Sequence, residues 1–191
     1  HPSEPRGYSN PMHTAYIALG ANLPSPAGQP IDSLVAAVQQ LGSLGNVNQQ
    51  SSLYRTEPVG FSDQPLFLNA VMALGTDLDS RTLLNKLLSI EKEFGRDRSA
   101  GIPNGPRTLD LDILLWNSLE LNEPGLELPH PRISERAFVL VPLAEIAPQL
   151  LIPGSRKTVT ELLHSLRTTR KGDVDAVVPI KNDRWRTAAR S

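Results

Sequence analysis

Apolar positions switch between two periods along the chain, and the switches mark out its elements. Ala15 to Leu19 is a short apolar run closed by Gly20 and followed by turn chemistry (Ala-Asn-Leu-Pro-Ser-Pro), so it reads as a buried strand. From Ile31 to Leu41 the apolar residues Leu34, Val35, Val38 and Leu41 recur at helical spacing, and Gly42 and Gly45 close a first helix. Val47 to Tyr54 and Phe67 to Leu74 read as extended segments. The Pro- and Gly-bearing loop between them, Thr56 to Pro65, is long for a plain hairpin and points to binding work. Asp79 to Phe94 carries an apolar stripe at Leu83, Leu84, Leu87, Leu88 and Phe94, with Asp79 or Ser80 placed to cap it and Gly95 to stop it. A Gly/Pro-punctuated basic loop, Arg96 to Arg107, then runs into Thr108 to Trp116, which alternates and ends apolar as a strand does.

The resulting order, β-α-β-β-α-β, predicts an α+β fold of ferredoxin-like arrangement, with helices packed on an antiparallel sheet. Further helices are expected over Ser134 to Ile146 and Val159 to Leu166, whereas Arg167 to Ser191 is basic and weakly patterned. Residues 1–13 are rich in Pro, Ser, Gly and Asn without periodicity and read as a loose arm. The expected division is therefore an arm at 1–13, one domain at 14–166 and a basic extension at 167–191.

With 191 residues and 39% apolar content the chain can bury one ordinary core, which implies one site. A formal charge of -1 provides no global field to gather nucleic acid or an anionic membrane, so any anionic ligand needs a local cluster. The absence of cysteine excludes disulfides, thiolate metal sites and thiol nucleophiles. With no membrane-length apolar run and no signal-peptide pattern at its start, the chain is expected to be a soluble cytoplasmic protein.

The chemistry concentrates at Gly105-Pro106-Arg107-Thr108-Leu109-Asp110-Leu111-Asp112-Ile113. A strand puts both carboxylates on one face, where they repel unless a cation neutralises them, and hard oxygen donors of this kind suit Mg²⁺. An Asp-Leu-Asp strand showing its polar face to water has the same pattern. Arg96, Arg98 and Arg107 alter the balance, because guanidinium forks grip phosphate oxygens. Carboxylates for metal beside arginines for phosphate point to a polyphosphate ligand.

This segment resembles the Gly-Pro-Arg-x-x-Asp-x-Asp signature of the hydroxymethyldihydropterin pyrophosphokinase family. The likeness extends from Ala15 to about Pro153 and includes Tyr16-Ile17-Ala18-Leu19-Gly20-Ala21-Asn22-Leu23, Ser52-Leu53-Tyr54-Arg55-Thr56 and Pro129-His130-Pro131. The resemblance implies transfer of diphosphate from ATP to 6-hydroxymethyl-7,8-dihydropterin with release of AMP, a step of folate synthesis whose product passes to dihydropteroate synthase. It implies that Asp110 and Asp112 ligate two Mg²⁺ ions, with Arg96 and Arg107 acting beside them at the phosphates. It further implies that Arg98, Ile113, His130 and Arg136 meet ATP. The pterin ring would lie between Phe67 and Phe138, with Asn69 at its edge and backbone contacts from Thr56 and Val59. Glu91 also matches a family position, although a solvated helix face explains it equally well. The sequence departs at Asn104, where many members carry a large aromatic residue and a spacing about one residue shorter.

Three other readings stay open on the residues: a glycosyltransferase using Asp-x-Asp, a noncatalytic pterin- or nucleotide-binding member, and a ferredoxin-like nucleic-acid-binding domain. The last two remain attached to the same fold, so only the site separates them.

Overall fold

The computed structural model describes residues 13–56, 63–96 and 106–190. The framework follows the expected order: β1 (His13–Ala21), α1 (Pro30–Leu41), then β2 (Asn46–Gln50) and β3 (Leu53–Thr56), which serve as one interrupted strand. After them come β4 (Phe67–Thr76), α2 (Ser80–Glu93) and β5 (Asp110–Trp116). All pairings are antiparallel, and both β2 and β3 lie along β4, which pairs with β1, which pairs with β5. This is the ferredoxin-like arrangement.

Period-two alternation sorts the strand residues between two cores. Ile17, Leu19, Ala70, Met72, Leu74, Leu111 and Ile113 face α1 and α2, meeting Leu34, Val38, Leu83 and Leu87. Tyr54, Val71 and Leu114 face the other way, against a second layer of helices. Two short hairpins accompany that layer, β6 (Leu121–Glu123) with β7 (Leu126–Leu128) before its first helix and β8 (Leu151–Ile152) with β9 (Lys157–Thr158) before its second. Its helices are α3 (Ala137–Ile146), α4 (Val159–Thr169) and α5 (Lys171–Asp175).

Local signals explain the helix ends. Asp79 caps α2, its Oδ1 accepting the Thr82 N–H at 2.8 Å, and Gly95 at φ +81° turns the chain out of it. Thr158 and Glu161 form a capping box on α4. The helix expected from Ser134 begins instead at Ala137: residues Ile133–Glu135 form a separate 3₁₀ turn, and Arg136 between them is extended at φ −108°, ψ 103°.

Beyond α5 the chain returns to the sheet. β10 (Val178–Ile180) pairs with β3 at the outer edge, and α6 (Asp183–Arg186) buries Trp185 in the core shared with α1 and α2. The unpatterned stretch expected after Arg167 is thus folded onto the sheet. Among the described residues no helix is long and apolar enough to cross a membrane.

Candidate active site

The site assembles at the end of the sheet where β3 and β1 finish and β4 and β5 begin. One line of paired residues crosses four strands there: Tyr54 opposite Asn69, Asn69 opposite Gly20, and Gly20 opposite Asp110. Directly paired residues point to the same face, so Asn69 and Phe67 of β4 share a face with Asp110 and Asp112 of β5. Gly20 lies between them. A Cβ there would sit 2.9 Å from Asn69 Nδ2, so only glycine lets this amide lie across β1 toward the aspartates. The Thr56 hydroxyl donates to Asn69 Oδ1 and fixes which way the amide points.

Asp110 and Asp112 are half-buried on the edge strand. Asp110 Oδ1 is bonded by Arg96 Nη1, and the same nitrogen lies 3.2 Å from Glu91 Oε2. Glu91 is 2% exposed and also accepts the Leu111 N–H at 2.8 Å, covering a ladder group on the outer side of the edge strand. A carboxylate of α2 therefore holds an arginine that in turn holds a metal-type aspartate. The sequence carried a signal for this: Glu91 stands four residues after Leu87, on the apolar stripe of α2, where a solvated residue does not belong.

Arg107 enters through its backbone. Its carbonyl accepts from the Asn22 and Leu23 N–H groups at 2.9 and 3.1 Å, and its N–H donates to Asn22 Oδ1 at 2.8 Å. Asn22, 3% exposed, donates in addition to Gln64 Oε1 and the Pro65 carbonyl at 3.0 and 2.9 Å. One amide thus ties the roots of the two loops that enter β4 and β5, a role the sequence did not reveal.

Arg136 is the extended residue that separates the 3₁₀ turn from α3. Burial, reinforced by Arg132, lowers its pKa, while the negative charges of Asp112, Asp110 and Glu135 oppose the shift. Its guanidinium carbon lies 5.5 Å from the centroid of the half-buried Phe138 ring, in cation–π range.

His130 follows a cis Leu128–Pro129 bond. Its backbone N–H donates to the Leu114 carbonyl at 2.8 Å, and its Nδ1 accepts the Arg132 N–H at 3.1 Å, which leaves Nε2 as the protonated nitrogen of the neutral ring. Burial and then Arg136 push its pKa down to about 4; Asp110 opposes this in part and Arg132 adds a smaller push. The ordinary value of 6.5 applies to the unfolded chain, which therefore takes up a proton that the fold refuses. Stability is accordingly lost as pH falls from about 6.5 toward about 4. His130→Asn should show a shallower decline of Tm across that window than the wild type, and parallel curves in thermal unfolding would remove this explanation.

Ile113 is 5% exposed and packs in the core on the opposite face, so only its backbone is available to a ligand at the aspartates. Arg98, Val59 and Asn104 lie outside the described residues.

Residues 16–148 match the family described as 7,8-dihydro-6-hydroxymethylpterin-pyrophosphokinase (HPPK). The chain belongs to the HPPK family. It is 46% identical over 145 residues to the 2-amino-4-hydroxy-6-hydroxymethyldihydropteridine pyrophosphokinase of Pseudomonas aeruginosa, covering 76% of this chain and 87% of that one. With the protein of the same name from Methylorubrum extorquens it shares 43% over 157 residues, covering 81% and 94%. Among solved structures it resembles the HPPK-DHPS protein of Plasmodium falciparum with a TM-score of 0.65 at 14% identity. That match covers 87% of this chain and 45% of the other, so the chain spans about half the length of that protein, and the likeness speaks to the fold alone.

Proposed function

We propose that this HPPK-family chain transfers diphosphate from ATP to the hydroxymethyl group of 6-hydroxymethyl-7,8-dihydropterin, releasing AMP, as a cytoplasmic step of folate synthesis. The observation that carries the reading is the shared sheet face: Asn69 and Phe67 stand on one side of Gly20, and Asp110 and Asp112 on the other. Neighbouring strands lie about 4.8 Å apart, so β4 and β5 are roughly 10 Å apart across β1. That span suits a flat heterocycle on one side and a polyphosphate on the other.

The donor set fits magnesium. Two carboxylates on adjacent outward positions of one strand offer hard oxygen, and phosphate oxygens and water complete the coordination of such an ion. Asp110 and Asp112 would hold two Mg²⁺ ions, which supply charge neutralisation and alignment of the phosphates when bound. Arg96 positions Asp110 through its bond. Arg107 and Arg136 bring positive charge to the phosphates, and Arg98 extends the same basic loop. Neutral His130 offers its Nε2–H to ATP as an uncharged donor, and Ile113 contributes backbone contact.

Phe67 and Phe138 enclose the pterin ring, and Asn69, oriented by Thr56, meets its edge with the backbone of Thr56 and Val59. The pterin hydroxymethyl oxygen attacks the β-phosphorus: the O–Pβ bond forms, the Pα–O–Pβ bridge breaks, AMP leaves and the hydroxyl proton is released. Positioning and charge stabilisation carry the rate, as in other phosphoryl transfers. The diphosphate ester would then be passed to dihydropteroate synthase.

The test is AMP release from ATP and Mg²⁺ with and without the pterin alcohol. Pterin-dependent AMP is expected; pterin binding with no AMP would favour the noncatalytic reading instead.

A further inference from the structure

We infer that Trp185, in the segment that returns to the sheet after α5, is a positioning residue for the pterin side of the site. The inference rests on the pyrophosphokinase reading and concerns one substrate of the two.

The argument begins at the interruption between β2 and β3. Breaking a strand leaves ladder groups unmatched, and buried unmatched groups are costly. Ser51, 2% exposed, sits at the break. Its N–H donates to the Val71 carbonyl and its hydroxyl accepts the Val71 N–H, each at 2.9 Å. Its carbonyl is met by Trp185 Nε1 at 2.9 Å, from the face of the sheet that carries α1 and α2. On the other face Glu145 of α3 takes the Ser52 N–H at 2.9 and 3.1 Å, the Ser52 hydroxyl at 2.8 Å and the Tyr54 hydroxyl at 2.6 Å. The break is clamped from both sides.

Trp185 is itself held in place. Asn182 Oδ1 accepts its N–H at 3.0 Å, Gln50 Nε2 donates to its carbonyl at 2.7 Å, and its ring is 2% exposed. Just before it, Ile180 of β10 pairs with Leu53, so the same segment also fixes the register of β3 from outside.

From this anchor β3 runs to Thr56, whose hydroxyl orients Asn69 and whose backbone pairs with Phe67. A shift of β3 therefore reaches the groups assigned to the pterin at once. Asp110 and Asp112 lie on β5, separated from β3 by β4 and β1. The anchor should be felt by one substrate and not by the other.

Trp185→Phe keeps an aromatic ring and removes the N–H that meets Ser51. The expected result is a KM for the pterin alcohol raised roughly fivefold, as for loss of one buried hydrogen bond, with KM for ATP and kcat within about twofold. Gln50→Leu, which loosens the same tryptophan without altering it, should raise the pterin KM in the same direction by less, and it serves where Trp185→Phe does not fold. Arg184→Ala removes only an exposed ion pair to Asp32 and should leave every constant unchanged. An unchanged pterin KM in folded variants would overturn the inference. So would an equal rise in both KM values, or a matching rise in Arg184→Ala. A wild type that releases no pterin-dependent AMP would instead refute the pyrophosphokinase reading itself.

Discussion

Asp112→Asn is expected to lower kcat by about a thousandfold at saturating Mg²⁺, with Asp110→Asn at least as severe, because each removes one of the two carboxylates proposed to neutralise the transferring diphosphate through magnesium. Asparagine preserves shape and one oxygen, so the loss reports charge. Asp110→Asn carries an additional consequence, since it also removes the charged partner of Arg96 and leaves that guanidinium with Glu91. The two variants should therefore separate in Mg²⁺ titrations of AMP release. If either keeps more than about a tenth of wild-type kcat, these carboxylates are not the metal ligands.

The second large effect is expected at a residue that need not touch either substrate. Glu91→Leu leaves a nearly buried guanidinium with Asp110 as its remaining carboxylate and strands an edge-strand N–H, and breaking one partner of a buried pair costs on the order of 3–5 kcal/mol. Glu91→Gln keeps an oxygen for the Leu111 N–H and loses the charge, so about 1–2 kcal/mol is expected. Denaturant unfolding of both variants checks the ranking. Kinetics of the folded Gln variant adds a second reading: kcat should fall because Arg96 no longer holds Asp110 against α2. Equal stability of the two variants would mean that Arg96 finds another partner and that the chain from Glu91 to Asp110 is not what fixes the aspartate.

The parts of the fold legible in the sequence were those with an uninterrupted period. α1 and α2 announced themselves by apolar spacing and end signals, and β5 by alternation, which placed Asp110 and Asp112 on one face. Phe67 and Asn69 followed from the same rule. What could not be read locally depended on partners distant in the chain. Val47 to Tyr54 looked like one strand because nothing in Ser51-Ser52 marks a break; the groups that stabilise it come from Val71, Glu145 and Trp185. Val178-Pro179-Ile180 is too short to signal a strand until β3 offers its edge. Arg136 was picked out by the family resemblance but placed inside a helix beginning at Ser134, whereas its backbone is extended and the helix starts after it. Glu91 shows the reverse case, in which the helical stripe already held the clue and its polar character concealed it.

Asn22 has a meaning for sequence variation as well as for structure. Gln64 and Pro65, just before β4, and Arg107, just before β5, are bonded to the same buried amide. Both loops consequently re-enter the sheet at fixed points, whatever happens between them. Length becomes a quantity that either loop can vary without moving Asn69 or Asp110. A change of length in either loop then costs the framework nothing, and a change of substrate affinity or turnover can arise in the loops while the face beneath them stays as it is.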